Sequence, residues 1–290
     1  MKLNQINVED DKKNRPTIVC ATDEKYAIPT MTMIKSIEYN SKESVNVIVL
    51  DGGINSNTKK RFLKNFADTS IDIIMYTIDN SIFPNLKTSE RMPIVTYYRL
   101  LIPEILYQFE KVIYLDSDII VLGDINKLFE MELGNKALGA VHEMNKKAMY
   151  VSLMWGIKPC RELGIPLKSH YFNAGVLLLN LKKWRDENIS KRIFDYFQKY
   201  EKYVYFHDQD GLNAVLWNDW AELPPVWNVM TAFYEAKDWT ESTFDQNEYR
   251  YVRENVELIH YINCTMWKPW MDKSTHPRKE EYNKYNGYLV

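Results

Sequence analysis

Short apolar runs and helix-length amphipathic segments take turns along this chain. That alternation narrows the fold to a sheet assembled from strand–helix–strand units. "TIVCAT" (17–22) reads as a strand, and in the following "AIPTMTMIKSIEYN" Ile28, Met31, Ile34 and Ile37 recur at helical spacing. "VNVIVLDGG" (45–53) is a second strand ending in turn residues, followed by the helix "NTKKRFLKNF". "IDIIMYTI" (71–78) is a third strand, and "VTYYRLLIPEIL" (95–106) is helical with Thr96 as its cap. "KVIYLDSDIIV" (111–121) reads as the fourth strand; "KALGAVHEM", "AGVLLLN" and "VELIHYI" are later ones. Between Trp217 and Tyr251 tryptophans and charges gather and periodicity fades, which predicts a loop-rich face on the same domain.

A chain of 290 residues has room for one large α/β domain and a deep core. The expected organisation is a polar N-terminal extension (1–16), a single domain (17–275) and a C-terminal tail (276–290). A formal net charge of −2 argues against a protein that coats phosphates and supplies no basic field for a membrane surface. Cys20, Cys160 and Cys264 lack metal-finger spacing and read as reduced thiols. The start, "MKLNQINVEDDKKNRPTIV", has no signal-like apolar stretch, and no run approaches the roughly 20 apolar residues a bilayer span needs. The expectation is a cytoplasmic protein, with the inner face of the membrane as a second place for it.

The chemistry concentrates in "YLDSDIIVLGDI" (114–125). Strand side chains alternate, so Asp116 and Asp118 share one face and Ser117 points away. Two neighbouring carboxylates repel, and a divalent cation removes that penalty. Open α/β sheets bind ligands at the carboxyl ends of their strands, where this pair sits. His260, after the apolar run 256–259, lies at another strand end and is a candidate third ligand. Mixed carboxylate and imidazole ligation suits Mn²⁺ better than Mg²⁺, which remains a possible substitute. Asp124, just before "INKLF", reads as a helix cap. Lys268 in "WKPW" is placed in a stiff turn where an ammonium can face a phosphate.

Six blocks now occur in order: "VCATDEKY", "TYYRLLIPEIL", "VIYLDSDIIV", "YFNAGVLLLNLKKWR", "HDQDGLNAVL" and "IHYINCTMWKPW". Together, from about Thr17 to Trp270, they resemble glycosyltransferase family 8, the retaining nucleotide-sugar transferases. The resemblance implies a GT-A fold: a Rossmann-like central mixed sheet flanked by helices, with a loop-rich C-terminal acceptor face. It implies a UDP-sugar donor and Mn²⁺ held by Asp116, Asp118 and His260. Asp23 matches the uracil contact and Tyr26 the ring that stacks on the base, with Ala21 and Thr22 at the same strand end. Arg99 and Ser117 are counted among the donor contacts. Asn173, Asp208 and Gln209 match residues around the transferred sugar, and Lys268 the diphosphate lysine. A carboxylate at 23 also suits the imide N–H of uracil. "HDQDGLNAVL" gives Asp208 a second role as helix cap.

Two positions depart from the family pattern. Where its members usually have an aspartate after the strand matching "LGAV", this chain has His142 and Glu143. Glu143 is assigned to a sugar hydroxyl. Between His260 and Lys268 the family usually carries a glycine; "YINCTMW" has none, and Asn263 is the residue that tolerates a left-handed turn there.

The expected activity is transfer of glucose or galactose from a UDP-sugar to a glycan or glycoprotein acceptor with retention, giving an α-linkage. A sugar nucleotidyltransferase would need a glycine-rich phosphate loop, which is missing. A catalytically silent sugar-binding module and a glycogenin-like self-glucosylating protein are the alternatives on the same fold.

Overall fold

All six residues of Thr17–Thr22 are buried, as are all seven of Val45–Asp51. Strands covered on both faces need apolar side chains at successive positions, which is why these runs are continuous instead of alternating. In the computed structural model, which describes residues 5–9, 12–83, 86–90, 93–262 and 268–290, ten strands occur among the described residues. They are β1 (Thr17–Thr22), β2 (Val45–Asp51), β3 (Ile71–Thr77), β4 (Lys111–Leu115) and β5 (Ile119–Val121), then β6 (Leu138–Ala140), β7 (Val176–Asn180), β8 (Trp220–Glu222), β9 (Val229–Met230) and β10 (Leu258–His260).

Seven of them form a mixed sheet in the order β3-β2-β1-β4-β7-β6-β8. β3, β2, β1 and β4 are parallel, while β7 runs antiparallel to both β4 and β6. Alternate residues feed two cores: Ile18, Cys20, Ile113 and Leu115 pack on one face, Val19, Ala21, Val112 and Tyr114 on the other. From β1 the chain moves outward to β2 and β3, then returns to place β4 on the other side. The β1/β4 junction is therefore a switch point, with a crevice at the carboxyl ends of both strands. The expected α/β class with a central mixed sheet flanked by helices holds.

The fourth strand differs from its reading. It stops at Leu115; Asp116, Ser117 and Asp118 form a turn, and Ile119–Val121 joins a second sheet of order β5-β10-β9. Backbone pairing explains the break: Asp116 N–H donates to the Gly175 carbonyl, while Asp118 offers its carbonyl to the amide of Tyr261. The two aspartates share a site because a turn converges them, not because a pleat alternates.

Two caps were also misread. Thr96 lies inside a 3₁₀ helix, Ile94–Leu101, that opens at Pro93. Pro103 has no N–H to give the Arg99 carbonyl, and the amide of Ile102 takes that acceptor instead, which tightens the turn. Asp208 lies within the helix His207–Leu216 and does not cap it; Oδ2 of Asp210 accepts from the amides of Tyr205 and Phe206 at 2.7 and 2.8 Å. Asp124 does cap Ile125–Phe129, accepting from the amide of Asn126. Cys20 and Cys160 are buried free thiols; Cys264 and Asn263 lie outside the described residues. The helix Lys279–Asn286 packs on the helix Ala27–Asn40, with Asn40 Nδ2 donating to the Tyr285 hydroxyl at 2.8 Å.

Candidate active site

Sheet register alone brings the acidic turn and His260 together. In the small sheet His260 pairs with Ile119, the residue after Asp118, so the imidazole projects beside both carboxylates. Nε2 of His260 lies 3.2 Å from Asp118 Oδ1 and 3.8 Å from Asp116 Oδ2. These ligand atoms fall within 4.8 Å of one another.

Each carboxylate gives one oxygen to a protein cation and turns the other inward. Asp116 Oδ1 accepts from Arg99 Nη2 at 2.8 Å and from the Tyr114 hydroxyl at 3.0 Å, leaving Oδ2 toward His260. Asp118 Oδ2 accepts from the ammonium of Lys268, leaving Oδ1 toward His260. Burial works to raise the Asp118 carboxyl, but Lys268 and His260 outweigh it and hold the group well below the usual carboxylate range. Two inward carboxylate oxygens and an imidazole nitrogen make a donor set that fits a divalent cation.

The nitrogen that faces the carboxylates is fixed by a chain of hydrogen bonds starting at the backbone. The amide of Gly175 can only donate, and it donates to Asn173 Oδ1 at 3.0 Å. Asn228 Nδ2 donates to the same oxygen at 3.0 Å, so Oδ1 of Asn228 must face His260. It accepts the Nδ1 proton across 2.9 Å, which leaves Nε2 as the lone pair. Gly175 also sets the spacing. A Cβ there would lie 2.8 Å from His260 Nδ1 and 2.9 Å from Asp116 Oδ2, and closer still to His260 Cε1. Only hydrogen fits.

Arg99 is buried beneath the acidic turn. Its guanidinium lies over the Tyr114 ring at 4.2 Å, Nη1 donates to the Ala174 carbonyl, and Nε donates to the Thr96 carbonyl at 3.1 Å. Asp208 Oδ2 lies 2.9 Å from Nε but receives no directed hydrogen bond, because that N–H points at Thr96. Burial therefore dominates over the shared Arg99 charge and pushes the Asp208 carboxyl up to about 7.

The other expected sugar residues surround Asn173. Its Nδ2 donates to Glu143 Oε2 and to Gln209 Oε1, both at 3.3 Å. Gln209 Oε1 also accepts from the amide of Ala174 at 2.9 Å. Glu143 is buried, which raises its carboxyl, and Oε1 accepts from the amide of Asn145. His207, which opens the helix bearing Asp208 and Gln209, has φ of 47°, a left-handed conformation that non-glycine residues seldom keep without need.

At the end of β1, Ala21 and Thr22 are buried, and Asp23 caps a short 3₁₀ turn by accepting from the Tyr26 amide at 3.1 Å. Tyr26 stands edge-on to Trp270, with centroids 5.7 Å apart. Ser117 turns inward: its hydroxyl donates to the Ala21 carbonyl at 3.1 Å and meets Thr30 Oγ1 at 2.9 Å. It ties the acidic turn to β1. Lys268 also donates to the Tyr261 carbonyl at 2.6 Å. Sequence reasoning missed Gly175, Asn228, Thr30 and Tyr114. The one signal available was a glycine just ahead of a buried strand, which marks close backbone approach.

A family model described as glycosyl transferase family 8 matches residues 17–274. General stress protein A of Bacillus subtilis (strain 168) is 28% identical over 277 residues, which cover 93% of this chain and 93% of that protein. Glycosyltransferase GlyF of Streptococcus pneumoniae (serotype 4) is 29% identical over 74% of this chain, which spans only 49% of GlyF. Among solved structures, the galactosyltransferase LgtC, crystallised with donor and acceptor sugar analogs, superposes with a TM-score of 0.78 at 29% identity. The match covers 94% of this chain and 96% of LgtC.

Proposed function

The chain belongs to glycosyl transferase family 8 and is a retaining glycosyltransferase of GT-A fold acting on glycan acceptors; on that premise we propose that it draws glucose or galactose from a UDP-sugar with Mn²⁺. The observation that carries the proposal is the set of three inward atoms, Asp116 Oδ2, Asp118 Oδ1 and His260 Nε2, at the carboxyl ends of β1 and β4.

Asp116, Asp118 and His260 would hold a divalent cation there, which when bound would supply Lewis acidity to the diphosphate leaving group. Lys268, one hydrogen bond from Asp118, swings its ammonium onto a phosphate oxygen and neutralises charge as it develops. Asp23 accepts a hydrogen bond from the uracil imide N–H, and Tyr26 with Trp270 offers flat ring surface to the base. Ala21 and Thr22 bound the same end of the pocket. Asn173, Glu143, Asp208 and Gln209 orient the hexose, while Arg99 and Ser117 hold the acidic turn beneath it.

Retention needs either a covalent sugar–enzyme intermediate or attack from the face the leaving group departs. The carboxylates near the sugar pocket are held in place by the surrounding protein. Asp208 is buried against Arg99, Glu143 is bound by Asn145 and Asn173, and Asp116 and Asp118 point at the cation position. Gln209 Oε1 is occupied by the Ala174 amide. These commitments support same-face attack, in which the leaving diphosphate takes the proton of the acceptor hydroxyl. Gln209→Ala then keeps measurable turnover.

A panel of UDP-sugars, followed for hydrolysis without acceptor, identifies the donor. EDTA should abolish turnover and Mn²⁺ restore it best, with Asp118→Asn inactive yet folded. Full activity after exhaustive chelation removes the metal from the proposal, and NMR detection of a β-glycoside from an α-linked donor removes the mechanism. Among the described residues no helix is long and apolar enough to cross a membrane. We place the protein in the cytoplasm, with peripheral contact at the inner membrane face as the route to a lipid-linked glycan.

A further inference from the structure

His142, which stands where the family usually carries an aspartate, is half of an unexplained arrangement. Nδ1 of His142 lies 2.5 Å from Glu222 Oε1, and Nδ1 of His170 lies 3.8 Å from that same oxygen. The two imidazole rings are 5.1 Å apart. One histidine and one glutamate make an ordinary ion pair, which accounts for the first contact alone. The second imidazole, turning the same nitrogen to the same oxygen, completes a cluster of three metal-ligating side chains whose donor atoms lie within 4.8 Å of one another.

Three separate backbone segments deliver these side chains. Glu222 ends β8 and pairs with Ala140 of β6; His142 continues past β6 in a bridge to Phe172; His170 bridges to Tyr150. Phe244 packs on the His142 ring at 5.3 Å and Tyr150 on that of His170 at 5.4 Å, so both rings are held. The Glu222 side chain is half-exposed.

We propose that His142, His170 and Glu222 form a second cation site, separate from the Asp116 site, that takes a zinc-class transition metal ion. Two imidazoles and one carboxylate favour Zn²⁺, whereas the Asp116 site with two carboxylates suits a harder cation. Zinc bonds of about 2.0–2.2 Å in a tetrahedron set ligand atoms roughly 3.3 Å apart. On binding, the short contact has to open and the long one to close, a rearrangement that falls to the half-exposed Glu222 side chain. The fourth position stays open to water or a sugar hydroxyl. Glu143 follows His142 in the chain and Asn173 follows Phe172. An ion here therefore clamps the two segments that carry the expected sugar contacts.

Equilibrium dialysis of the full chain against Zn²⁺ near neutral pH, with the first site silenced by Asp118→Asn, reads this site alone. One tightly held equivalent is expected, and Co²⁺ in its place should show the strong visible absorption of a four-coordinate ion. His170→Gln and Glu222→Gln should each lose that equivalent while keeping the parent circular dichroism, because neither side chain is buried. If the Asp118→Asn protein folds poorly, the otherwise wild-type chain should fall from two equivalents to one on adding both substitutions. Failure of the parent to bind Zn²⁺ here, or variants that hold it as tightly as the parent, overturns the proposal.

Discussion

Asn228 accepts the Nδ1 proton of His260 across 2.9 Å, and by doing so aims the opposite ring nitrogen at Asp116 and Asp118. Asn228 touches no substrate in the proposed mechanism; it fixes a tautomer. Asn228→Ala should weaken Mn²⁺ binding by about 10–100-fold, the usual consequence of losing the partner of a metal-binding histidine. Titration calorimetry with Mn²⁺ checks this, and unchanged affinity would show that the ring needs no such anchor.

Gly175→Ala tests the same centre from beneath. The added methyl would press on His260 and Asp116, so the strand or the ring must shift. Overpacking of this kind costs about 1–3 kcal/mol, read from urea unfolding. Mn²⁺ affinity should fall as well. A stable variant with parental metal affinity would mean the backbone yields more easily than its double pairing at Asp116 and Asn173 implies.

Asp23 is expected to serve the base and its own turn at once. Asp23→Ala removes the acceptor for the uracil imide and leaves the Tyr26 amide only the backbone carbonyl of residue 23. UDP affinity should drop by about 1–3 kcal/mol, the scale of a hydrogen bond to a charged group. GDP should bind far more weakly than UDP to the parent chain; equal affinity in calorimetry contradicts the donor assignment.

Asp208 predicts a pH effect on stability. Its folded pKa is raised from 3.8 to about 7, so between those values the folded state binds more protons than the unfolded. Stability contributed by the protonated carboxyl is full below the unfolded pKa and is lost as pH rises through the folded one. The loss amounts to a few kcal/mol across that window. Asp208→Asn should flatten this part of the stability–pH profile in chemical denaturation. An identical slope in the variant would show that Arg99 keeps the group ionised.

What was legible in the sequence depended on how local the cause was. β1, β2 and the helix Ala27–Asn40 fell where apolar spacing put them, because burial on both sheet faces writes itself into consecutive residues. Asp116, Asp118 and His260 were identifiable as a set, but the geometry joining them was not. An apolar run, an acidic triplet and a second apolar run look like one strand; the break depends on β5 leaving to pair with β10, far along the chain. The Asp208 cap failed for a related reason. No side chain caps that helix; Asp210 accepts from the two amides just ahead of it, and Asp208 is buried beside an arginine from another segment. Asn228 sits between two short elements in a stretch without periodicity, and nothing local announces its partner.

The insertion of β10 between β5 and β9 fixes when this protein can become an enzyme. A ribosome releases the Asp116–Asp118 turn long before it releases His260 and Lys268, and domains begin to order from the N-terminal side. The nascent chain thus exposes an acidic pair lacking its imidazole and its ammonium, with β5 presenting an unpaired edge. Closing that gap seats the last ligand and pairs the edge in one event. Catalytic competence then waits on the synthesis of His260 and Lys268, and a product terminated before them can own the whole large sheet and still be inert.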